Sequence, residues 1–218
     1  MGIINITSGM VDDLRQEIQS EHISPKRLNH ILEVEKMAVR LGEIYLPEKI
    51  NILRSAALLH DITKEYSFDM QVKICAEYDI KVPEEEYFAP KTFHAKTAAA
   101  LIPPRYPDFA DDEIISAVRW HTTGRAGMTL SEKIIYLADY IDGSRTFDDC
   151  VKLRNLFWDA EPQNMSVENR LRHLNNILII SYDMTVSALL AERTPISLDT
   201  IRARNDLICM VGNTGGIS

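Results

Sequence analysis

The feature that most constrains this chain is the period of its apolar residues, which is helical almost from end to end. Val11, Leu14 and Ile18 recur at the spacing of helix turns, and so do Leu28, Ile31, Leu32, Ala38 and Leu41. Residues so spaced share one face of a helix, and that face must be buried against another element. Strand-like alternation is nearly absent, so the expected fold is all-α, a helical bundle forming a single compact domain. Local chemistry marks the boundaries. Ser24-Pro25 offers a capping hydroxyl before a proline at the first helical position, and Gly42 suits a left-handed stop for that helix. Leu46-Pro47-Glu48 opens the next, whose stripe of Ile50, Leu53, Ala57 and Leu58 ends at Leu59-His60-Asp61. Further helices are expected from Ser67 to Tyr78, Phe93 to Leu101, Asp111 to His121, Leu130 to Ile141, Asp148 to Trp158, Ser166 to about Arg193 and Ser197 to about Met210. Pro103-Pro104 is expected to break the chain, Glu161 to Asn164 to form a hinge, and Gly212 to Ser218 to fray.

Composition narrows the class. Of 218 residues, 45% are hydrophobic and 26% charged, which fits a globular domain and excludes disordered and fibrous classes. A net charge of -8 repels a phosphate backbone, so no nucleic-acid partner is expected. Cys75, Cys150 and Cys209 are odd in number and far apart, which fits neither a disulfide framework nor a thiolate metal site. No strictly apolar run approaches the roughly 20 residues that cross a bilayer, and the N-terminus lacks a leader's basic segment. The expectation is a cytoplasmic protein without a membrane partner, as a monomer or a homodimer.

Six histidines against three cysteines point any metal site toward imidazole and carboxylate donors. Taken singly, each histidine reads as well as a hydrogen-bonded core or surface residue. In series they say more: His30, His60, Asp61, His94, His121 and Asp139 each fall on an expected helix or at its end. Several have apolar neighbours, as in Ala57-Leu58-Leu59-His60 and Leu137-Ala138-Asp139, so their polar atoms need buried partners. A shared ion would supply one. Adjacent helical residues point about 100 degrees apart, so His60 and Asp61 can share an ion only near a helix end. By contrast, Met128, Leu130, Ile134, Ile135 and Leu137 read as core, and Glu84-Glu85-Glu86 as a solvated acidic run.

The order and spacing of this series resemble the HD-domain metal-dependent phosphohydrolases, whose pattern is H, HD and D on a helical scaffold. The resemblance covers about residues 22–158. Within that group the chain resembles the symmetrical diadenosine tetraphosphate hydrolases, the YqeK type. The tokens are Arg27-Leu28-Asn29-His30, Ala57-Leu58-Leu59-His60-Asp61-Ile62-Thr63-Lys64, Phe93-His94, Trp120-His121-Thr122-Thr123-Gly124 and Tyr136-Leu137-Ala138-Asp139-Tyr140-Ile141, with Arg145 beyond. It departs at Ala95-Lys96-Thr97, where a glycine-containing stretch is usual, at Asp142-Gly143 in place of Glu-Pro, and in a longer segment between Trp158 and Arg193. The implied organisation is an N-terminal helix within 1–20, an HD core over 22–158, C-terminal helices over 159–211 packed on it, and a tail at 212–218.

The resemblance implies His30, His60, Asp61 and Asp139 as metal ligands and iron as the metal, in one or two ions, while the donors equally suit manganese, cobalt or zinc. His94 and His121 would face the phosphates, as ligands of a second ion or as donors to substrate. The expected chemistry is in-line attack of metal-bound hydroxide on an inner phosphorus of diadenosine tetraphosphate, giving two ADP. Asp61, His94, His121 and Lys64 form the expected catalytic set. Lys64, His94, His121, Thr122, Asp139 and Arg145 would contact substrate, with Arg145 clamping a terminal phosphate and Thr122 donating a hydroxyl. Lys26, Asn29 and the Arg193-Thr194-Pro195 turn are weaker candidates for nucleotide contact, and Trp120 one for bordering an adenine. The alternatives are another nucleotide ester, monophosphate or cyclic, and a sensor that holds metal and nucleotide without turnover.

Overall fold

The computed structural model describes residues 5–21 and 23–213. Among them are ten α-helices and no strand: α1 (Ser8–Ser20), α2 (Pro25–Tyr45), α3 (Ile50–Leu59), α4 (Phe68–Glu77), α5 (Phe93–Arg105), α6 (Asp112–Trp120), α7 (Leu130–Ile141), α8 (Asp148–Asp159), α9 (Val167–Ala191) and α10 (Leu198–Asn213). The starts follow the caps in the sequence. Ser24, Ser67, Asp111 and Ser166 each accept a backbone N–H of the first turn, and Thr129 and Glu132 form a reciprocal capping box on α7.

Helix α3 is the axis of the molecule. It packs against α1, α2, α6 and α7, and Leu53, Leu58 and Leu59 are fully buried. Each such side chain contributes about 1.5–3 kcal/mol of transfer free energy. Surrounded in this way, α3 has its C-terminal end fixed near the centre of the fold, and His60 and Asp61 stand at that end. Helix α9 packs on α7 and α8, with Leu174, Ile177, Leu178 and Tyr182 inward, and α10 packs on α9. Tyr182 also locks the loop after α6. Gly124 has φ +63°, and a Cβ there would lie 1.8 Å from the Tyr182 hydroxyl. Only glycine meets both demands.

Several expectations are corrected. Gly42 does not stop α2 but lies inside it, where a Cβ would come within 2.8 Å of Leu53 and Ile50; the glycine serves close helix packing. Pro103 and Pro104 do not break the chain. They sit in the last turn of α5, where proline's fixed φ is helical, and the Tyr106 N–H closes on the Ile102 carbonyl at 2.7 Å. Gly212 and Asn213 belong to α10, and the remainder of the expected tail lies outside the described residues. Glu86 is not solvated: the 3-10 turn Glu84–Phe88 carries it inward to a buried ion pair with Lys96. Finally, α9 is long and apolar enough to cross a membrane by length and composition, with mean hydropathy 1.4 over its best window and 28% of that window buried. No strictly apolar run marks it, because its apolar residues are interrupted by Asn, Ser, Thr and Tyr. Within the fold, Asp183 of α9 pairs with Arg204 of α10.

Candidate active site

Five helices deliver the side chains, α5 among them with His94. On α2, Arg27 and His30 lie three residues apart and so share the inward face. His60 caps α3, and its Nδ1 donates to the Ala57 carbonyl at 2.6 Å. His121 repeats the device at the end of α6, its Nδ1 donating to the Val118 carbonyl at 2.7 Å. In both, the backbone holds the proton on Nδ1 and leaves Nε2 as a free donor of electrons toward the centre. Asp139 enters from the last turn of α7, and Asp61 from the turn that follows His60.

The expected ligands converge. His30 Nε2 lies 2.9 Å from Asp139 Oδ1 and 3.6 Å from Asp61 Oδ2, and His60 Nε2 lies 3.5 Å from Asp61 Oδ2 and 3.8 Å from Asp139 Oδ1. Two triads, His30-His60-Asp139 and His60-Asp61-His121, each place their ligand atoms within 4.8 Å of one another. The helix end supplies the adjustment that neighbouring His60 and Asp61 require. No hydrogen bond closes on His30 Nε2, His60 Nε2 or Asp61 Oδ1, though all three are buried. Buried polar atoms left in this way are costly, and a divalent cation is the partner that imidazole and carboxylate share. The residues therefore fit a metal.

On the other side of Asp61, its Oδ1 lies 3.2 Å from His94 Nε2 and 3.7 Å from His121 Nε2, and the two histidine nitrogens are 3.0 Å apart. Thr122 Oγ1 is 3.1 Å from His94 Nε2, and Lys64 Nζ reaches the same ring at 3.1 Å. Burial pushes His60 down to about 3 and His94 to about 4. His30 goes the other way: against the effect of burial, the carboxylates of Asp139 and Asp142 facing its two nitrogens raise it to about 9. Burial would raise Asp61 and Asp139, yet the neighbouring imidazoles, and Arg145 for Asp139, hold both well below the ordinary carboxylate range.

Arg145 is where the expectation of a free phosphate clamp meets a difference. Its Nη2 pairs with Asp139 Oδ1 at 2.5 Å and its Nε lies 3.2 Å from Asp142 Oδ2, so the guanidinium braces the carboxylates. Trp120 is stacked by Arg119 at 4.1 Å. Three residues outside the expected set join the site. Arg27 donates to Asp61 Oδ2; Asp142 faces His30 Nδ1 at 3.3 Å; and Ser144 Oγ lies 3.3 Å from the same nitrogen while donating to Asp142. Spacing was the available signal, since Arg27 stands three residues before His30 and Asp142 three after Asp139. A cleft of about 280 Å³ opens beside His30, lined by Lys26, Arg27, Asn29, Lys64, Arg145 and Phe147.

Known proteins supply the family. The family model for the HD domain matches residues 27–144, which contain every ligand candidate. The chain belongs to the HD domain family. Among HD relatives, "Bis(5'-nucleosyl)-tetraphosphatase, symmetrical" of Bacillus subtilis (strain 168) is 30% identical over 86% of this chain and 92% of its own length. The protein of the same name from Staphylococcus aureus is 28% identical over 78% and 86%. A solved HD structure, described as a predicted HD superfamily hydrolase involved in NAD metabolism from Clostridium acetobutylicum, aligns with TM-score 0.78 and 29% identity over 94% of this chain and all of that one. The HD core found here is thus that of a metal-dependent phosphohydrolase.

Proposed function

We propose that the protein hydrolyses diadenosine tetraphosphate symmetrically to two ADP. The observation that carries this reading is a charge inversion: a chain of net charge -8 gathers Lys26, Arg27, Lys64 and Arg145 around one cleft, which reaches the histidine and aspartate cluster at His30, one of its residues with an unmatched buried atom. A polyphosphate is the ligand class that four cations and a metal cluster both attract. The named relatives act on such a substrate by their description.

His30, His60, Asp61 and Asp139 would hold the ion, with iron as the favoured metal. When bound, a divalent ion neutralises phosphoryl charge and acidifies water. The chain's own groups do the rest. Lys64 brings an ammonium to the phosphate face of His94, and Arg27 pairs with Asp61 and orients it. His94 and His121, whose Nε2 atoms share close contact, form the proton-handling pair. Burial keeps His94 neutral, and an arriving polyanion raises its affinity for the proton that a departing phosphate needs. Thr122 offers its hydroxyl beside them. Arg145 positions Asp139.

Free thiols at Cys75, Cys150 and Cys209 support a cytoplasmic setting. The partly exposed apolar face of α9 supports a homodimer, which sedimentation would detect as twice the 24.8 kDa chain mass.

The test is incubation with diadenosine tetraphosphate and iron, manganese, cobalt or zinc in turn, followed by chromatographic identification of products. ADP as sole nucleotide product is expected. AMP with ATP would replace symmetrical cleavage by an asymmetrical one, and release of no nucleotide with any metal would overturn the reading.

A further inference from the structure

The C-terminal hairpin of α9 and α10 lies outside residues 27–144, and none of its residues reaches the metal cluster. It nonetheless walls a second cavity, of about 300 Å³, between the loop after α6 and the 3-10 segment Pro90–Thr92. Thr185, Leu189, Thr194 and Pro195 come from the hairpin, and Ala89 and Thr122 from the opposite wall. The lining is apolar surface studded with threonine hydroxyls, and Lys91 is its one charged residue. The cleft beside His30 is its chemical opposite, with four cations in a similar volume.

We propose that this cavity is a nucleoside subsite and that the C-terminal hairpin supplies the base and ribose recognition of the enzyme. The inference rests on the tetraphosphatase reading above. Three observations carry it. First, Thr122 belongs to both places: it lines the cavity, and its Oγ1 lies 3.1 Å from His94 Nε2, which in turn lies 3.2 Å from Asp61. A ligand seated in the cavity therefore has its phosphate end directed past Thr122 onto the cluster. Second, the lining suits an uncharged heterocycle and sugar, because apolar walls take the faces of the rings while hydroxyls, each both donor and acceptor, meet their edges. Phosphate would find almost no cation there.

Third, the cavity is held open by structure that has no other evident task. Lys96 and Glu86 form a fully buried ion pair at 2.5 Å, and Ser197 donates to the second Glu86 oxygen at 3.2 Å. This ties the hairpin's connecting loop to the segment that precedes the opposite wall. On the far side, Tyr182 of α9 and Ala203 of α10 close on Gly124 in the loop that carries Thr122. Both walls are fixed independently, so the space is preformed.

The experiment titrates ADP and inorganic pyrophosphate separately into the metal-loaded wild type and Leu189→Trp, which fills the cavity without touching the cluster. Wild type should bind ADP at least about tenfold more tightly than pyrophosphate, and Leu189→Trp should lose that advantage while pyrophosphate affinity stays within about twofold. Thr194→Trp, on the half-buried connecting loop, makes the same test should Leu189→Trp not fold. Equal affinity of wild type for the two probes, or unchanged ADP affinity in both variants, overturns the subsite. The two readings fail separately. No ADP from diadenosine tetraphosphate defeats the tetraphosphatase reading, whereas ADP production with an unaltered KM in the filled variants defeats the subsite alone.

Discussion

Two buried polar clusters each take a residue from α5, His94 for one and Lys96 for the other, and they are built on opposite terms. Lys96 and Glu86 are each under 5% exposed, and their charged atoms are matched: ammonium to carboxylate, second carboxylate oxygen to Ser197. His30, His60 and Asp61 are buried too, yet no hydrogen bond closes on His30 Nε2, His60 Nε2 or Asp61 Oδ1, which face one another's groups instead. Burying charge is expensive unless it is paired, so a closed pair is self-sufficient and an open cluster is not. Burial alone does not mark a site; several unmatched ligand atoms converging within 4.8 Å do.

Removing a ligand from the open cluster should have the largest effect. His60→Ala is expected to lose stoichiometric metal on elemental analysis and at least about a thousandfold of ADP release, because its imidazole, oriented by the Ala57 carbonyl, is one of the four proposed ligands. Stoichiometric metal in this variant would break the contrast. The closed cluster should fail in another currency. Lys96→Met leaves Glu86 buried and uncompensated, so chemical denaturation should show a loss of about 3–5 kcal/mol, with metal content per folded molecule unchanged. Metal loss at full stability would show that the two clusters are one.

Much of the open cluster is legible in sequence, and the reason is local. His60 and His121 each end a helix whose cap and stripe can be read directly, and His30 and Asp139 sit at definite positions on α2 and α7. Periodicity says which face of a helix is buried; it does not say which faces meet. That is why Glu86 reads as solvated until the 3-10 turn brings it to Lys96, and why Arg145 reads as a phosphate clamp until Asp139 is seen to occupy it. The hairpin cavity is invisible for the same reason, being assembled from stretches far apart in the chain, around Ala89, Thr122 and Leu189.

Acid should sharpen the contrast further. His60 at about 3 and His94 at about 4 are depressed from their unfolded value by burial, so between those values and about 6.5 the unfolded chain binds more protons than the folded one. Their stabilising contribution is complete above about pH 6.5 and is lost as pH falls toward the folded values. His30, raised to about 9, has the opposite sign and offsets part of this, since its contribution is present below its unfolded value and lost as pH rises through 9. The metal-free protein should therefore lose roughly 2–3 kcal/mol between pH 7 and pH 5. A melting temperature that is flat over that range would mean that these imidazoles are not buried in neutral form.

The smallest expected effect concerns the residue that joins ligand to scaffold. Asp142 faces His30 Nδ1 at 3.3 Å, accepts from the Ser144 backbone at 2.8 Å and meets Arg145 at 3.2 Å, so it fixes the ring from the side away from the cluster. A carboxylate in this place orients a ligand imidazole and raises its basicity. Asp142→Asn keeps the shape and removes the charge. It should weaken metal binding about tenfold by competition with a chelator of known affinity, while stability measured without metal shifts far less than in Lys96→Met. An unchanged affinity would place the orientation of His30 with Ser144, which reaches the same nitrogen at the same distance and bears no charge to lose.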